Sequence, residues 1–146
     1  MSSSWVVVKF GGTSVTGKEN WERILSILQM RQSEGCKVLV VCSALSKISD
    51  TLERLAQMAA VGEDCTAILE TLRHKHNTQA TDLGIDSASI EGFLSDLEQL
   101  THGASLIQEV SPKLWSRMLS AGELMSTKLG VDWLNRQGLS ASWLDA

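Results

Sequence analysis

A single proline interrupts the 146 residues, and the chain has no low-complexity tract, no fixed-period repeat and no linker-like stretch. Without such punctuation there is no place for an internal boundary, and residues 1–146 read as one continuous unit. Long apolar runs are missing as well. Nothing approaches the roughly 18 to 20 continuous apolar residues that span a bilayer, so no membrane role is expected. Met1 to Ser4 leads straight into a strand-like run, with no basic segment ahead of a long apolar one, and no secretion signal is read there. Basic charge is in deficit: 13 Lys and Arg stand against 17 Asp and Glu, a formal net charge of -4, and a duplex-binding surface would demand the opposite balance. No nucleic-acid partner is expected. Cys36, Cys42 and Cys65 are odd in number and lack CxxC spacing, which excludes a disulfide framework and a structural zinc site and suits a reducing cytoplasm.

What is present is 43% apolar residues, enough for the core of one ordinary domain. Val6-Val7-Val8 reads as a buried strand that ends in Lys9 and opens at once into Gly11, Gly12, Thr13 and Ser14. Glycines let backbone N–H groups approach phosphate oxygens, hydroxyls add donors, and the lysine supplies charge, so phosphate chemistry is the first expectation. Thr16 to Glu19 has the pattern of a capping box, and Trp21, Ile24, Leu25 and Leu28 recur at helical spacing, giving a helix over about 18–34 that ends at Gly35. Val38 to Cys42 is a second strand of the central parallel kind. A right-handed strand-helix-strand unit follows, and it brings Lys9 and Ser43 to the carboxyl ends of neighbouring strands.

Ser43 to Asp50 forms a second polar loop, and Ile48, Leu52, Leu55, Ala56 and Ala59 carry a helix away from it towards Gly62. Further helices are expected over 65–83 and 87–101. This helix-rich middle third, about 65–105, reads as an insert serving as a lid or packing surface, and periodicity assigns it no chemistry. Ser111-Pro112 is an N-cap and first helical position. The helix is expected to pause near Ser120, restart at Ser120-Ala121-Gly122-Glu123 and stop at Gly138. Ser140 to Asp145 is expected to be a last strand, leaving the parallel sheet unfinished.

Several residues admit a plain reading. Ser120-x-x-Glu123 is a capping box that needs no ligand. Ser49 can cap the helix after it, and Lys9 can be a solvated strand-end lysine. His74 and His76 point to different helical faces and lack a third partner, so a surface His74 and a packed His76 are expected, with no metal site. Trp21, Trp115, Trp133 and Trp143 read as core or interface residues, and Cys42 as a small buried hydrophobe.

Gly12 to Lys18 imitates the Gly-x4-Gly-Lys-Ser/Thr loop of nucleoside triphosphatases but fails at its last position, where Glu19 replaces the magnesium-binding hydroxyl. The alternative parse makes Lys9 the working lysine. Lys9-Phe-Gly-Gly-Thr-Ser-Val15 resembles the signature of the aspartokinases, within the amino acid kinase superfamily. Val41 to Ser46 resembles that family's second glycine- and serine-rich loop, and Ser120 to Ser126 its Gly-Glu helix start. The resemblance implies a three-layer αβα sandwich on a mainly parallel sheet, present here in its amino-acid-binding part, with the nucleotide half, the catalytic aspartate and a carboxylate-gripping arginine beyond Ala146.

It further implies ATP- and Mg2+-dependent phosphorylation of the L-aspartate side-chain carboxylate to 4-phospho-L-aspartate, in the biosynthesis of lysine, threonine and methionine. The full-length enzyme would be a cytoplasmic homo-oligomer, and this chain alone would not turn over. By the same resemblance Lys9 is catalytic, and Lys9, Gly11, Gly12, Thr13 and Ser14 bind phosphate. Ser43, Ser49 and Glu123 face the amino acid, with Glu123 on its α-ammonium. Lys47 departs from the family's glycine, a residue that often serves a positive φ, so the second loop need not keep the family's backbone conformation; Ser49 departs from its threonine. The competing expectation is a non-catalytic module that binds an amino acid or assembles with a partner through its sheet edge.

Overall fold

Alternation along the first apolar run sets the architecture. In the computed structural model, which describes residues 4–145, β1 (Trp5–Phe10) and β2 (Lys37–Cys42) pair in parallel, from Trp5 opposite Lys37 to Phe10 opposite Cys42. Met1–Ser3, read above for a leader, and Ala146 lie outside the described residues. The connection is α1 (Lys18–Ser33), which buries Trp21, Ile24 and Leu28, the stripe expected from spacing. Val6, Val8, Phe10, Val38 and Val40 turn towards the helical layer and are half-buried, while Trp5, Val7, Lys9, Lys37, Leu39 and Val41 face outwards. The α/β class and the parallel pairing are as expected. Among the described residues only one face of the sheet is covered, so two layers of the incomplete sandwich are present.

The remaining helices are α2 (Ile48–Ala60), α3 (Thr66–Leu83), a 3-10 turn over Ser87–Ile90, α4 (Glu91–Ile107) and α5 (Pro112–Arg136). Within the insert, the expected 87–101 helix opens as that 3-10 turn, with Asp86 accepting from the Ala88 N–H at 2.9 Å, and then runs six residues further than its apolar stripe suggested. The α5 helix is the spine: it packs against α2, α3, α4 and the sheet. Ser111 caps it by accepting from the Leu114 N–H at 3.2 Å, and Pro112 takes the first position, where a missing N–H costs nothing.

Two expectations for the last third fail. There is no pause at Ser120: α5 is one helix of 25 residues, and the Ser120 hydroxyl donates to the Arg117 carbonyl at 3.1 Å as an ordinary mid-helix serine. Of the small residues that mimic a helix start, Ser120 is exposed, while Ala121 and Gly122 are buried where the helix presses on its neighbours. Nor is Ser140–Asp145 a strand. After Gly138 turns the chain, at φ 82°, the Asn135 side chain takes both backbone groups of Ala141, at 3.0 Å each, and so replaces a strand partner.

Trp21 and Trp133 meet edge to face in the core, with ring centroids 6.2 Å apart. Trp115 and Trp143 are half-buried. Cys42 is buried, and burial pushes its thiol up to about 11, which suits an inert hydrophobe. His74 is exposed and His76 fully buried, its Nδ1 2.7 Å from the Leu72 carbonyl and its pKa held below the ordinary value chiefly by desolvation.

The tightest packing is at Gly130, where an added Cβ would stand 2.0 Å from the Trp21 ring. Neither the ring nor α5 can yield without disturbing the aromatic pair. Gly130→Ala is therefore expected to destabilise the chain by about 3 kcal/mol, the upper part of the range for overpacked cores. Urea titration followed by tryptophan fluorescence measures it.

Candidate functional site

The loop after β1 spans Gly11 to Gly17, and its backbone is largely committed. The Gly11 carbonyl accepts from the Ser14 and Val15 N–H groups at 3.0 and 3.2 Å, and the Gly17 N–H donates to Gln79 at 2.9 Å. Among the described residues, the N–H groups of Gly12 and Thr13 and the hydroxyls of Thr13 and Ser14 carry no hydrogen bond. Thr13 and Ser14 are exposed. Donors of this kind suit an anion at Gly12–Ser14. A nucleoside triphosphatase loop needs its N–H groups free as far as the lysine; here those of Ser14, Val15 and Gly17 are spent, and Lys18 is an exposed lysine 4.0 Å from Glu22.

The second loop, after β2, lies directly against the first. The Ser43 N–H donates to the Phe10 carbonyl at 3.0 Å, carrying the ladder one residue past the strand ends. Gly12 approaches so closely that a Cβ on it would stand 2.9 Å from the Ala44 carbonyl oxygen. Glycine at 12 thus serves contact between the two loops as well as any ligand. Thr16 joins them chemically: its hydroxyl donates to the Gly12 carbonyl at 2.7 Å and accepts from the Ser46 N–H at 2.9 Å. The capping box expected over Thr16–Glu19 is therefore absent, because its hydroxyl is engaged elsewhere; α1 is preceded by Gly17, at φ 86°, with no side-chain cap.

Against the same segment lies α5. A Cβ on Gly122 would meet Ala44 Cβ at 2.8 Å and Ile48 and Leu52 at 3.0 Å, so the helix reaches the second loop only because residue 122 is glycine. The next residue is Glu123, half-buried. With Ser120 deep inside α5, the capping role for Glu123 is excluded.

Lys9 is exposed on the outer face of β1, opposite Val41. Ser43 is half-buried between the loops, while Ser49 is exposed in the first turn of α2. Ser49 does not cap that helix, since Lys47 occupies the cap position. Lys9, Gly11, Gly12, Thr13, Ser14, Ser43 and Glu123 thus lie in segments that meet at the carboxyl ends of the strands. Two cavities among the described residues, about 390 Å³ beside Asp86 and Asp132 and about 320 Å³ between β2, α1 and the Leu139–Leu144 segment, are not lined by these residues. Two residues of this region escaped the sequence reading. Thr16 was hidden by its resemblance to a cap, whereas Gln79 had a visible signal, a glutamine interrupting the apolar stripe of α3.

A parallel strand-helix-strand unit with two polar loops side by side at its carboxyl end defines an α/β fold of the kind in which ligands collect at the carboxyl ends of the strands. Residues 4–146 match the model of the amino acid kinase family, and the chain belongs to that family. It is 31% identical over 144 residues to the chloroplastic aspartokinase 3 of Arabidopsis thaliana, covering 96% of this chain and 25% of that protein. Lysine-sensitive aspartokinase 3 of Escherichia coli K12 is 33% identical, over 98% of this chain and 31% of the relative. The fold superposes on E. coli aspartokinase III in complex with lysine and aspartate with a TM-score of 0.81 at 30% identity, over 98% of this chain and 31% of that one. The chain therefore spans about a quarter to a third of the length of these relatives.

One residue of the second loop is strained. Lys47 has φ 63° and ψ 6°, the left-handed conformation that a side chain disfavours. The departure from glycine therefore leaves the backbone left-handed, with a lysine carrying the positive φ. Lys47→Gly is expected to stabilise the chain by about 1 kcal/mol, and Lys47→Ala, which keeps the strain, by much less. Thermal unfolding of the two variants side by side measures the difference.

Proposed function

We propose that this chain supplies the amino-acid side of an aspartate kinase, which transfers the ATP γ-phosphoryl group to the side-chain carboxylate of L-aspartate. The observation that carries this reading is the meeting of three segments at Ala44–Ser46: the Gly11–Gly17 loop through Gly12 and Thr16, the second loop itself, and α5 through Gly122. The names of the relatives support the substrate, and one solved relative is described as bound to aspartate and ADP.

In this mechanism the transferring group is met by fixed charge and fixed donors, which phosphoryl transfer chiefly requires. Lys9 offsets the negative charge that spreads over it. The N–H groups at Gly12 and Thr13, with the Thr13 and Ser14 hydroxyls, hold phosphate oxygens, and Gly11 closes the turn behind them through its carbonyl. Ser43 and Ser49 offer hydroxyls to the amino acid, and Glu123 takes its α-ammonium in a charge-assisted bond. The residues present fit a phosphate. Among the described residues no three His, Cys, Asp or Glu side chains cluster, and in this reading the magnesium ion that accompanies ATP would be held by the nucleotide's phosphates and by residues of the nucleotide half. In this reading the nucleotide half of the domain is contributed by residues outside these 146, and the full-length enzyme is a cytoplasmic homo-oligomer.

A second reading, a non-catalytic amino-acid-binding or assembly module, is favoured by the outward apolar face, where Trp5 is 67% and Val7 64% exposed. The two readings part on kinetics.

In the full-length product of the reading frame, Lys9→Ala is expected to lower kcat roughly 10²-fold or more with little change in the aspartate KM. Equal loss in both, or none in kcat, refutes its role. Glu123→Gln is expected to raise the aspartate KM about tenfold or more at an unchanged melting temperature, because no cap is lost with it. An unaltered KM removes Glu123 from the substrate.

A further inference from the structure

We infer that Gln79, on α3 of the helical insert, is a positioning residue for the phosphate side of the site; the inference rests on the kinase reading for its catalytic consequence and on geometry for the rest. Gln79 is 3% exposed, and both ends of its amide are engaged on the Gly11–Gly17 loop. Its Nε2 donates to the Val15 carbonyl at 3.2 Å and its Oε1 accepts from the Gly17 N–H at 2.9 Å. The Val15 carbonyl also accepts from the Trp21 indole N–H at 2.8 Å, and the Val15 side chain is fully buried. Val15 is thereby fixed from outside the loop.

From Val15 the constraint passes inward. Its N–H, with that of Ser14, closes the turn onto the Gly11 carbonyl, and the two N–H groups enclosed by that turn are the unengaged donors of Gly12 and Thr13. Gly17 itself sits at φ 86° and ψ 152° and begins α1 without a side-chain cap; Asn20, on α1, donates to the Thr13 and Thr16 carbonyls at 3.0 and 2.7 Å, and the Gln79 amide is the group from outside the loop and α1 that holds the exit at the Gly17 N–H. An element 62 residues away in sequence therefore sets the aim of the anion donors without touching a ligand. This gives the insert a role beyond packing: movement of α3 is transmitted to the phosphate loop by one buried side chain.

Gln79→Glu separates positioning from mere stability. A protonated carboxyl keeps both bonds, accepting from Gly17 and donating to Val15; an ionised one has no proton to donate and faces the Val15 carbonyl. In the 146-residue chain, the amide resonances of Gly12 and Thr13 should match wild type at low pH and shift as the introduced carboxyl ionises, with wild type showing no such titration. In the full-length enzyme, kcat of this variant should approach wild type at low pH and fall with the same midpoint, at a constant aspartate KM. Gln79→Met, which keeps length but neither bond, should lose about tenfold or more in kcat at every pH.

Amide resonances of Gly12 and Thr13 that ignore the titration, or a Met variant with wild-type kcat, overturn the inference. Should Gln79→Glu fail to fold, the Met variant decides alone. A wild-type enzyme that does not phosphorylate aspartate refutes the kinase reading instead, and the resonance titration still tests the coupling.

Discussion

Everything at the carboxyl end of this sheet depends on two loops that touch backbone to backbone and are joined by one hydroxyl. The Gly12 backbone lies against the Ala44 carbonyl, and the Thr16 hydroxyl spans the gap between the Gly12 carbonyl and the Ser46 N–H. Parallel neighbours bring such loops together as a matter of course. What is particular here is how closely they approach. A side chain at residue 12 would pry the loops apart, and loss of the Thr16 hydroxyl would leave a carbonyl and an N–H unpaired between them, each costing about 1–3 kcal/mol when buried.

That contact also explains why α5 runs unbroken. A helix that must lie along α2 and α4 and meet the second loop at Gly122 cannot restart in the middle without losing its axis, so the small residues at 121 and 122 serve closeness rather than a cap. Gly122 in a helix interior costs about 1 kcal/mol relative to alanine. The close packing against Ala44, Ile48 and Leu52 that its missing Cβ permits offsets this loss. Glu123 then arrives beside the loop as a consequence of helix packing, and its carboxylate is left for a partner other than the helix's own backbone.

Much of this was legible in the sequence where one physical requirement dominated a segment. Apolar runs bounded by turns gave β1 and β2, and stripes at helical spacing gave α1 to α4. The lysine in place of glycine in the second loop left its backbone open, and the structure shows it left-handed. Failures came where a local pattern had two physical uses. Ser-x-x-Glu at 120–123 and Thr-x-x-Glu at 16–19 both imitate capping boxes, but tertiary contacts claim Gly122 and Thr16 first. Ser140–Asp145 carries strand-like residues, and Asn135 satisfies the backbone that a strand would have paired. Gln79 was visible only as an oddity, since its partners lie in a loop more than sixty residues earlier.

The alternation that puts Val6, Val8 and Phe10 on the helical layer puts Lys9 on the opposite face with Trp5 and Val7. Lys9 thus stands at the rim of an apolar surface, while the anion donors of Gly12 and Thr13 lie a few residues on in the loop that continues its strand. For a lysine to act on a phosphoryl group its charge must not be screened by water, and an exposed strand-end lysine is screened. On the proposed reading, the material that covers Trp5 and Val7 is therefore also what activates Lys9: burying that face lowers the local dielectric around the ammonium and strengthens its hold on phosphate. Closure of the sheet and acquisition of catalytic power would be one event, with the Gly12–Ala44 contact already fixing the donors on which the incoming phosphate must land.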